Sequence, residues 1–198
     1  MYKLSISTSG SYTSACLHEE KLIASLIFKS SQGSTNLLLS EIDELLTKTN
    51  VSKKDLGAIY LDIGPGYYTG LRIGYSVAQG IGASLGIPIV PVNGLDALAF
   101  SAHTSHRKIC TIIDIKRNEY AFCTYKPLPG GVVRETEPEI LNSQTLKVKL
   151  SDDSEKKLLV GNWDLLPEID LPNDSNTKLA DPKLVTAESI YSVGERAF

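Results

Sequence analysis

A glycine-rich turn is the part of the sequence best suited to chemistry. Residues 64–74 read Gly-Pro-Gly-Tyr-Tyr-Thr-Gly-Leu-Arg-Ile-Gly, a pattern typical of a strand end, a tight turn and a helix start. Free N–H groups at a helix start can hold an anion, so Gly64, Gly66 and Thr69 are candidate anion-site residues. The sequence contains neither GKS/T nor GxGxxG at this point, and a purely structural turn with Thr69 as helix cap is the favoured interpretation.

The histidines and cysteines form no catalytic or metal-binding pattern. His103 and His106 are three residues apart in a polar stretch, and a metal site would need a third ligand and a rigid frame. A serine or cysteine nucleophile needs a neighbouring base, and no GxSxG motif occurs. The cysteines lie in apolar runs and are expected to be buried and reduced: Cys16, Cys110 and Cys123. We therefore predict no catalytic residue, no metal ligand and no cofactor bound by this chain alone.

Hydrophobic periodicity predicts the elements around the turn. Three short strands joined by tight turns fill the first 30 residues and predict an antiparallel meander. A helix at about 35–49, a buried strand that ends at the turn, and a second helix at about 69–85 follow. The remaining predicted elements are strands at 87–92, 109–115, 119–125 and 158–160 and helices at 95–102 and 185–198. This order predicts an α/β fold with mixed sheets, divided by a polar run into lobes of 1–103 and 104–198.

The second helix has an unusual face. Small residues recur on it every four positions: Gly70, Gly74, Ala78 and Gly82. Glycine costs roughly 1 kcal/mol per helical position relative to alanine, so close approach of another element must offset the loss. Packing on the protein's own sheet and an interface with another subunit explain this face equally well, and both can hold on different faces of the helix. Arg72 opposes the helix dipole in the first turn, which predicts a carboxylate partner in its own core or on another subunit.

Composition limits the classes of function. The chain has 198 residues, 42% of them hydrophobic, and a formal net charge of -3. Such a chain has no global field that attracts phosphate backbones, so independent nucleic-acid binding is not expected. The N-terminus is too polar for a signal peptide, and no stretch approaches the roughly 18 apolar residues of a membrane span. We predict a cytoplasmic protein without a membrane partner.

With these residues in view, the chain resembles the TsaB family, whose older name is YeaZ. The run at 64–74 is the most specific match, because the family has GPG, two mostly Ser or aromatic positions, and then TGLRIG at this place. Further similarity lies in Val77-Ala78-Gln79-Gly80, in Pro91-Val92-Asn93-Gly94-Leu95, in Ile113-Asp114-Ile115-Lys116-Arg117-Asn118-Glu119, and in the opening Ile6-Ser7-Thr8-Ser9 with Ala15-Cys16-Leu17 behind it. The resemblance covers about residues 4–125.

The resemblance implies an ASKHA fold, the actin-like ATPase and ribonuclease H-like architecture, with two lobes. It implies a non-catalytic subunit, not an enzyme, of the complex that makes N6-threonylcarbamoyladenosine at position 37 of tRNA. The expected partners are a TsaD-like catalytic subunit and a TsaE-like ATPase, which account for the ATP and the metal, and tRNA would be reached only through the complex. A homodimer is expected when the partner is missing, because an exposed apolar helix pair tends to become buried.

In the family, two early helices of each subunit form a four-helix interface, which implies the helices at 35–49 and 69–85 here. The implied interface residues are Leu38, Ile42, Leu45, Gly70, Arg72, Ile73, Gly74, Val77, Ala78, Ile81 and Gly82. Replacing Gly74 or Ala78 with a large charged residue is then expected to abolish pairing and leave the fold intact.

One departure from the family pattern bears on chemistry. The ASKHA first loop normally carries an acidic residue just before Thr-Ser, and Ser7 occupies that position here. Serine is a poor ligand for the divalent ion of a bound nucleotide, which weakens any claim of nucleotide hydrolysis. The alternatives to a partner subunit are a stand-alone ASKHA nucleotide-binding ATPase or kinase and a glycoprotease-type peptidase.

Overall fold

The computed structural model of the protein describes residues 1–30, 34–151, 155–163, 175–181 and 183–197. The chain forms two compact units. Unit 1 comprises Met1–Gly94 and Val185–Phe198, and unit 2 comprises Leu95–Leu184. These units differ from the expected lobes of 1–103 and 104–198, because the chain leaves unit 1 at Gly94 and its last segment returns to unit 1.

Unit 1 is built on a five-stranded mixed sheet. Its strands are β1 (Tyr2–Ser7), β2 (Tyr12–His18), β3 (Leu22–Lys29), β4 (Leu56–Asp62) and β5 (Ile89–Val92). They lie in the order β3-β2-β1-β4-β5. The first three are antiparallel neighbours, whereas β4 is parallel to β1 and β5 is parallel to β4. Parallel neighbours need crossover connections, which α1 (Ser34–Lys48) and α2 (Tyr68–Leu85) supply.

Helices cover both faces of this sheet. Neighbouring residues of a strand point to opposite faces, so β4 contributes Ile59 and Leu61 to the core beneath α1 and α2. Tyr60 points to the other face, where α5 (Ala187–Ala197) packs. In α5, Gly194 lets the helix backbone approach Tyr60 and Val92 closely. The amphipathic terminal helix therefore completes unit 1.

Unit 2 contains the second sheet. Its elements are α3 (Gly94–Ser101, which begins at the boundary), β6 (Lys108–Lys116), β7 (Glu119–Leu128), β8 (Gly131–Arg134), β9 (Glu139–Asn142), α4 (Ser143–Leu150), β10 (Lys157–Val160) and β11 (Thr177–Leu179). The order is β11-β10-β6-β7-β8, and β9 also pairs with β7. The β10 strand is parallel to β6 and β11, whereas β7 is antiparallel to its neighbours. Leu146 and Leu150 of α4 close a core around Phe122 and Ile112.

The predicted fold class is confirmed: both units are α/β, and both sheets are mixed. The two early helices and the opening meander have nearly the predicted bounds. Four elements were missed, namely β8, β9, α4 and β11, because they are short and carry few apolar residues. Within the described ranges, no helix is both long and apolar enough to cross a membrane.

Candidate functional site

The turn at 64–66 is held by contacts with its own chain. Gly64 adopts a left-handed backbone (φ +85°), the Gly64–Pro65 peptide bond is cis, and the Gly64 N–H donates to Asp62 Oδ1 at 2.8 Å. The Tyr67 N–H donates to the carbonyl of Ser9 at 2.6 Å. Two of the N–H groups that an anion would use therefore have partners within unit 1.

Of the three candidate anion-site residues, Gly64 and Gly66 form the tight turn. Thr69 does not cap the helix. Gly66 lies against the Ser9 backbone, where a Cβ atom would overlap the carbonyl oxygen. The predicted cap at Thr69 is wrong: Tyr67 occupies the N-cap position, without a side-chain capping bond, and Thr69 is exposed within the first turn of α2. The contacts of Gly64 and Gly66 support the structural interpretation of the turn.

Asp62, which the sequence reasoning overlooked, is the centre of this region. Its side chain is 2% exposed, and Ser7 Oγ and Ser9 Oγ donate to Asp62 Oδ2 at 2.7 and 2.5 Å. Burial raises the pKa of the Asp62 carboxyl, while the hydrogen bonds from Ser9, Ser7 and the Gly64 backbone act in the opposite direction. An acidic residue at the end of an otherwise apolar strand was the signal that could have identified it.

The position of Ser7 explains how the departure from the family pattern is accommodated. Ser7 Oγ is a neutral donor 2.7 Å from the Asp62 carboxylate. A carboxylate in its place would put two like charges together in a buried pocket, which is strongly unfavourable. Ser7, Ser9 and Asp62 therefore form a closed hydrogen-bonded cluster that links β1 to the turn after β4.

The small-residue face of α2 packs on the protein's own loop and sheet. Thr8 Oγ1 donates to the carbonyl of Gly70 at 2.8 Å, and a Cβ atom on Gly70 or Gly74 would overlap Thr8. Ala78 is fully buried, and Gly82 lies against Ile89. Of the two explanations that the sequence left open, internal packing accounts for this face.

Most of the residues that the resemblance implied at an interface lie inside unit 1. Those buried are Leu38, Ile42, Leu45, Gly74, Val77, Ala78 and Gly82. Gly70 is partly exposed, Ile73 and Ile81 are partly buried against the same core, and Arg72 is exposed. Ile42, Val77 and Ile81 also line a concavity between α1 and α2. At Gly74 a Cβ atom would overlap Thr8, and Ala78 is fully buried, so a large charged residue at either position would disrupt the fold instead of leaving it intact.

A different set of apolar residues is exposed on the outer side of α1 and α2. Leu37 and Leu39 are exposed on α1, and Tyr68 and Tyr75 are exposed on α2, Tyr68 to 73%. Ile63, directly after β4, is 50% exposed and lines the same concavity as Tyr68 and Tyr75. We call these five residues the outer face.

Two concavities accompany the outer face. A groove of about 430 Å³ runs between α1 and α2 and is lined by Leu39, Leu46, Gly80 and Ile81 among others. A second hollow of about 420 Å³ lies beside the first half of α2, between Ile63 and Tyr75. The walls of both concavities are mostly apolar. The outer face thus has the shape and the polarity of a surface that binds protein side chains.

Comparisons with known proteins identify the family. The family profile described as TsaD, tRNA N6-adenosine threonylcarbamoyltransferase, matches residues 29–145, well over half of the chain. Among curated relatives, the tRNA threonylcarbamoyladenosine biosynthesis protein TsaB of Buchnera aphidicola (subsp. Baizongia pistaciae) is 29% identical over 172 residues, 81% of this chain and 78% of that protein. The TsaB protein of Escherichia coli K12 is 26% identical over 170 residues, 83% of this chain and 73% of that protein.

The chain belongs to the TsaB/YeaZ family, within the TsaD-related group. A solved structure of YeaZ from Pseudomonas aeruginosa superimposes with a TM-score of 0.81 at 24% identity, and the match covers 99% of this chain and 91% of that one. This superposition confirms the predicted ASKHA fold. The TsaB-type run at 64–74 is accounted for largely by packing, since its glycines let the loop after β1 lie against α2.

Arg72 is the one residue of the TsaB-type run whose charge has no partner within the described part of the chain. Its guanidinium lies 5.4 Å from the centroid of the Tyr68 ring. The ion pairs found among the described residues do not include it. The predicted salt bridge within its own core is therefore not seen in these ranges, and the other predicted partner, a carboxylate of another subunit, remains.

The histidines and cysteines of this TsaB/YeaZ-family chain behave largely as ordinary structural residues. His103 stacks on Phe100 and bonds its carbonyl, and His106 is exposed. In the residues that the structure describes, no group of three or more His, Cys, Asp or Glu side chains could hold a metal ion. Cys16, Cys110 and Cys123 are buried free thiols, and burial raises the pKa of Cys16 to about 12.

Proposed function

We propose that the chain is a non-catalytic cytoplasmic subunit of the complex that makes N6-threonylcarbamoyladenosine at position 37 of tRNA. It binds a TsaD-like catalytic subunit through the outer face and the groove between α1 and α2. A TsaE-like ATPase completes the assembly, and tRNA contacts this chain only as part of the complex. ATP and the metal belong to those partners.

The single observation that carries the proposal is the exposed apolar surface of the two helices. Monomeric proteins rarely leave large contiguous apolar patches in water, and such patches mark interaction sites. Tyr68, Tyr75 and Ile63 are each at least half exposed and line the hollow of about 420 Å³ beside the first half of α2. Tyrosine is enriched in protein interfaces because it offers a large apolar area and a hydroxyl group at low entropic cost.

The Asp62 cluster supports a non-catalytic role. A carboxylate that acts on a nucleotide-bound metal must present its oxygens to a cleft. Asp62 lines the second hollow, but both of its oxygens accept bonds, from Ser7, Ser9 and the Gly64 N–H, and the residue is 2% exposed. Serine hydroxyls and a buried, saturated carboxylate favour a structural connection over metal-assisted hydrolysis.

Reconstitution tests the role. The cognate synthase, the TsaD-like subunit and the TsaE-like ATPase are incubated with tRNA, threonine, bicarbonate and ATP, with and without this chain, and modified adenosine is quantified by mass spectrometry. We expect product only when the chain is present. Equal product without it would rule out the partner role. Saturable ATP binding by the isolated chain, measured by calorimetry, would then favour the stand-alone nucleotide-binding alternative.

A matched pair of variants tests the surface. Gly80 lines the groove and is exposed, and a Cβ atom there would meet nothing within 4 Å, so Gly80→Trp adds a large side chain at the groove. Gly131 in unit 2 also has open space, which makes Gly131→Trp a control of equal bulk. We expect Gly80→Trp to abolish partner binding and product formation, and Gly131→Trp to leave both unchanged. Binding by Gly80→Trp at the affinity of the unmodified chain would exclude the groove as the docking site.

A further inference from the structure

Arg72 is the only charged residue of α2, which has 18 residues. It lies within the first turn and a half, where the helix dipole disfavours a positive charge, so its place is not explained by helix stability. Around it are the apolar walls of the hollow, formed by Ile63, Leu71 and Tyr75. Arg72 is thus the one cation among the residues that line this hollow, whose mostly apolar walls also include Asp62 and Ser76.

The Arg72 guanidinium contacts an aromatic ring of its own helix. It lies 5.4 Å from the centroid of the Tyr68 ring, a distance at which a cation is attracted to the face of an aromatic ring. This contact leaves the N–H groups of the planar guanidinium available for a carboxylate, which it can bind through two parallel hydrogen bonds. Arg72 is therefore prepared for an anion outside the chain.

The carboxylates nearest to the groove have partners on their own helix or turn. Asp43, which lines the groove, forms an ion pair with Lys53 at 2.7 Å, and Glu44 forms one with Lys48 at 2.5 Å. Glu41, the remaining acid of α1, does not line the groove. Asp43 is the one carboxylate among the residues that line the groove, so a second copy that docks by the same surface would have to break the ion pair with Lys53 to offer this carboxylate to Arg72.

We propose that Arg72 is the residue that makes this surface prefer a catalytic partner over a second copy of the chain, by binding a carboxylate on that partner. Burying an unpaired arginine at an interface is costly, whereas a buried arginine–carboxylate pair recovers that loss. A symmetric pairing places the same surface on both sides, so the unpaired arginine is present twice. The residue thus favours one partner and penalises the other. This inference rests on the proposed function.

The test compares partner binding with self-association in the full chain. Arg72→Met keeps the length and removes the charge, Arg72→Lys keeps the charge and removes the planar fork, and Arg117→Glu in unit 2 is an exposed charge-reversal control. Circular dichroism melting curves establish that each variant is folded. Affinity for the TsaD-like subunit is measured by calorimetry, and self-association by sedimentation velocity.

We expect Arg72→Met to weaken partner binding by about 30- to 5,000-fold, the range found when one member of a buried charge pair is truncated. Self-association is expected to stay equal or to become tighter, because the unpaired cation has gone. Arg72→Lys should fall between the unmodified chain and Arg72→Met, and Arg117→Glu should change neither quantity. Partner affinity that is unaltered in Arg72→Met, or self-association that weakens by the same factor, would overturn the proposal.

A charge swap strengthens the test. Exposed Asp and Glu residues of the partner are changed singly to Lys and assayed against Arg72→Glu. One such change that restores binding supports the proposal and identifies the carboxylate. If no partner variant restores binding, the direct pair is refuted.

The Gly80→Trp variant distinguishes a failure of the inference about Arg72 from a failure of the proposed docking surface. If Gly80→Trp blocks partner binding while Arg72→Met does not, Arg72 has no role in partner choice and the docking surface stands. If neither variant alters binding, or if the unmodified chain does not bind the partner, the docking surface itself is wrong and the inference about Arg72 is refuted with it.

Discussion

The contact between α2 and the loop after β1 predicts opposite changes in stability for two glycine-to-alanine substitutions in α2. A Cβ atom on Gly70 would lie 2.0 Å from the Thr8 carbonyl oxygen, whereas real Cβ atoms do not approach other atoms closer than 3.0 Å. A Cβ atom on Gly80, in the same helix, would meet nothing within 4 Å. We therefore expect Gly70→Ala to destabilise unit 1 and Gly80→Ala to stabilise it.

The magnitude follows from the distances. Gly70→Ala must move the helix or the loop by about 1 Å, an overpacking that typically costs about 1–3 kcal/mol. The movement also strains the bond from Thr8 Oγ1 to the Gly70 carbonyl, worth about 1 kcal/mol, while alanine recovers about 1 kcal/mol of helix propensity. The net loss in the free energy of unfolding is about 2 kcal/mol, against a gain of up to about 1 kcal/mol for Gly80→Ala.

Thermal denaturation followed by far-ultraviolet circular dichroism measures both changes. For a chain of this size, 1 kcal/mol shifts Tm by about 2–4 °C, so we expect a fall of about 4–8 °C for Gly70→Ala and a rise of up to about 4 °C for Gly80→Ala. If the two substitutions raise Tm alike, the close approach of Thr8 to α2 is wrong, and the packing explanation of the small-residue face is wrong with it.

Three further predictions concern single side chains. The hydrogen bond from Lys3, and then that from Tyr60, lowers the pKa of the Glu195 carboxyl. The ionised carboxylate therefore stabilises the folded chain at pH values above the ordinary pKa of glutamate. This stabilisation is lost as the pH falls through the pKa of Glu195 in the folded state. Glu195→Gln should therefore lower Tm at pH 7, and by progressively less as the pH falls through the folded pKa. Burial lowers the pKa of His18, which favours its neutral form, so Tm should fall between pH 7 and pH 5 in the unmodified chain and less in His18→Phe. In unit 2, Tyr125 donates to Asp96 Oδ1 at 2.7 Å, and Tyr125→Phe should cost about 2 kcal/mol, measured by urea denaturation with Trp163 fluorescence. A midpoint equal to that of the unmodified chain would contradict the last prediction, and parallel pH profiles would contradict the other two.

Much of the fold could be predicted because periodicity identifies a buried face. The helix predicted at 69–85 spans Tyr68–Leu85, and Gly86 ends it in a left-handed conformation. The same method failed where few side chains are buried. In α4 only Leu146 and Leu150 are buried, and a pattern of two apolar residues in a polar run does not distinguish a helix from a loop.

The candidate site was harder to predict for a different reason. An apolar stripe on a helix indicates that one face is buried, but it does not say what buries it. Val77 and Ala78 satisfied the pattern for an interface and are covered by the protein's own sheet. The exposed apolar residues, Tyr68 and Tyr75, lie outside that stripe. Asp62 was missed because its partners, Ser7 and Ser9, are distant in sequence and become neighbours only when β1 pairs with β4.

Because unit 1 is interrupted by unit 2, its completion during synthesis depends on the last helix. Unit 2 inserts 90 residues between Gly94 and Val185, which takes about 5–20 s to translate at about 5–20 residues per second. Throughout that interval the nascent sheet lacks α5, and the surface around Tyr60 and Val92 that Gly194 later approaches is uncovered. A ribosome stalled in unit 2 would thus present an apolar sheet surface to chaperones and proteases, although nearly all of unit 1 had already been made.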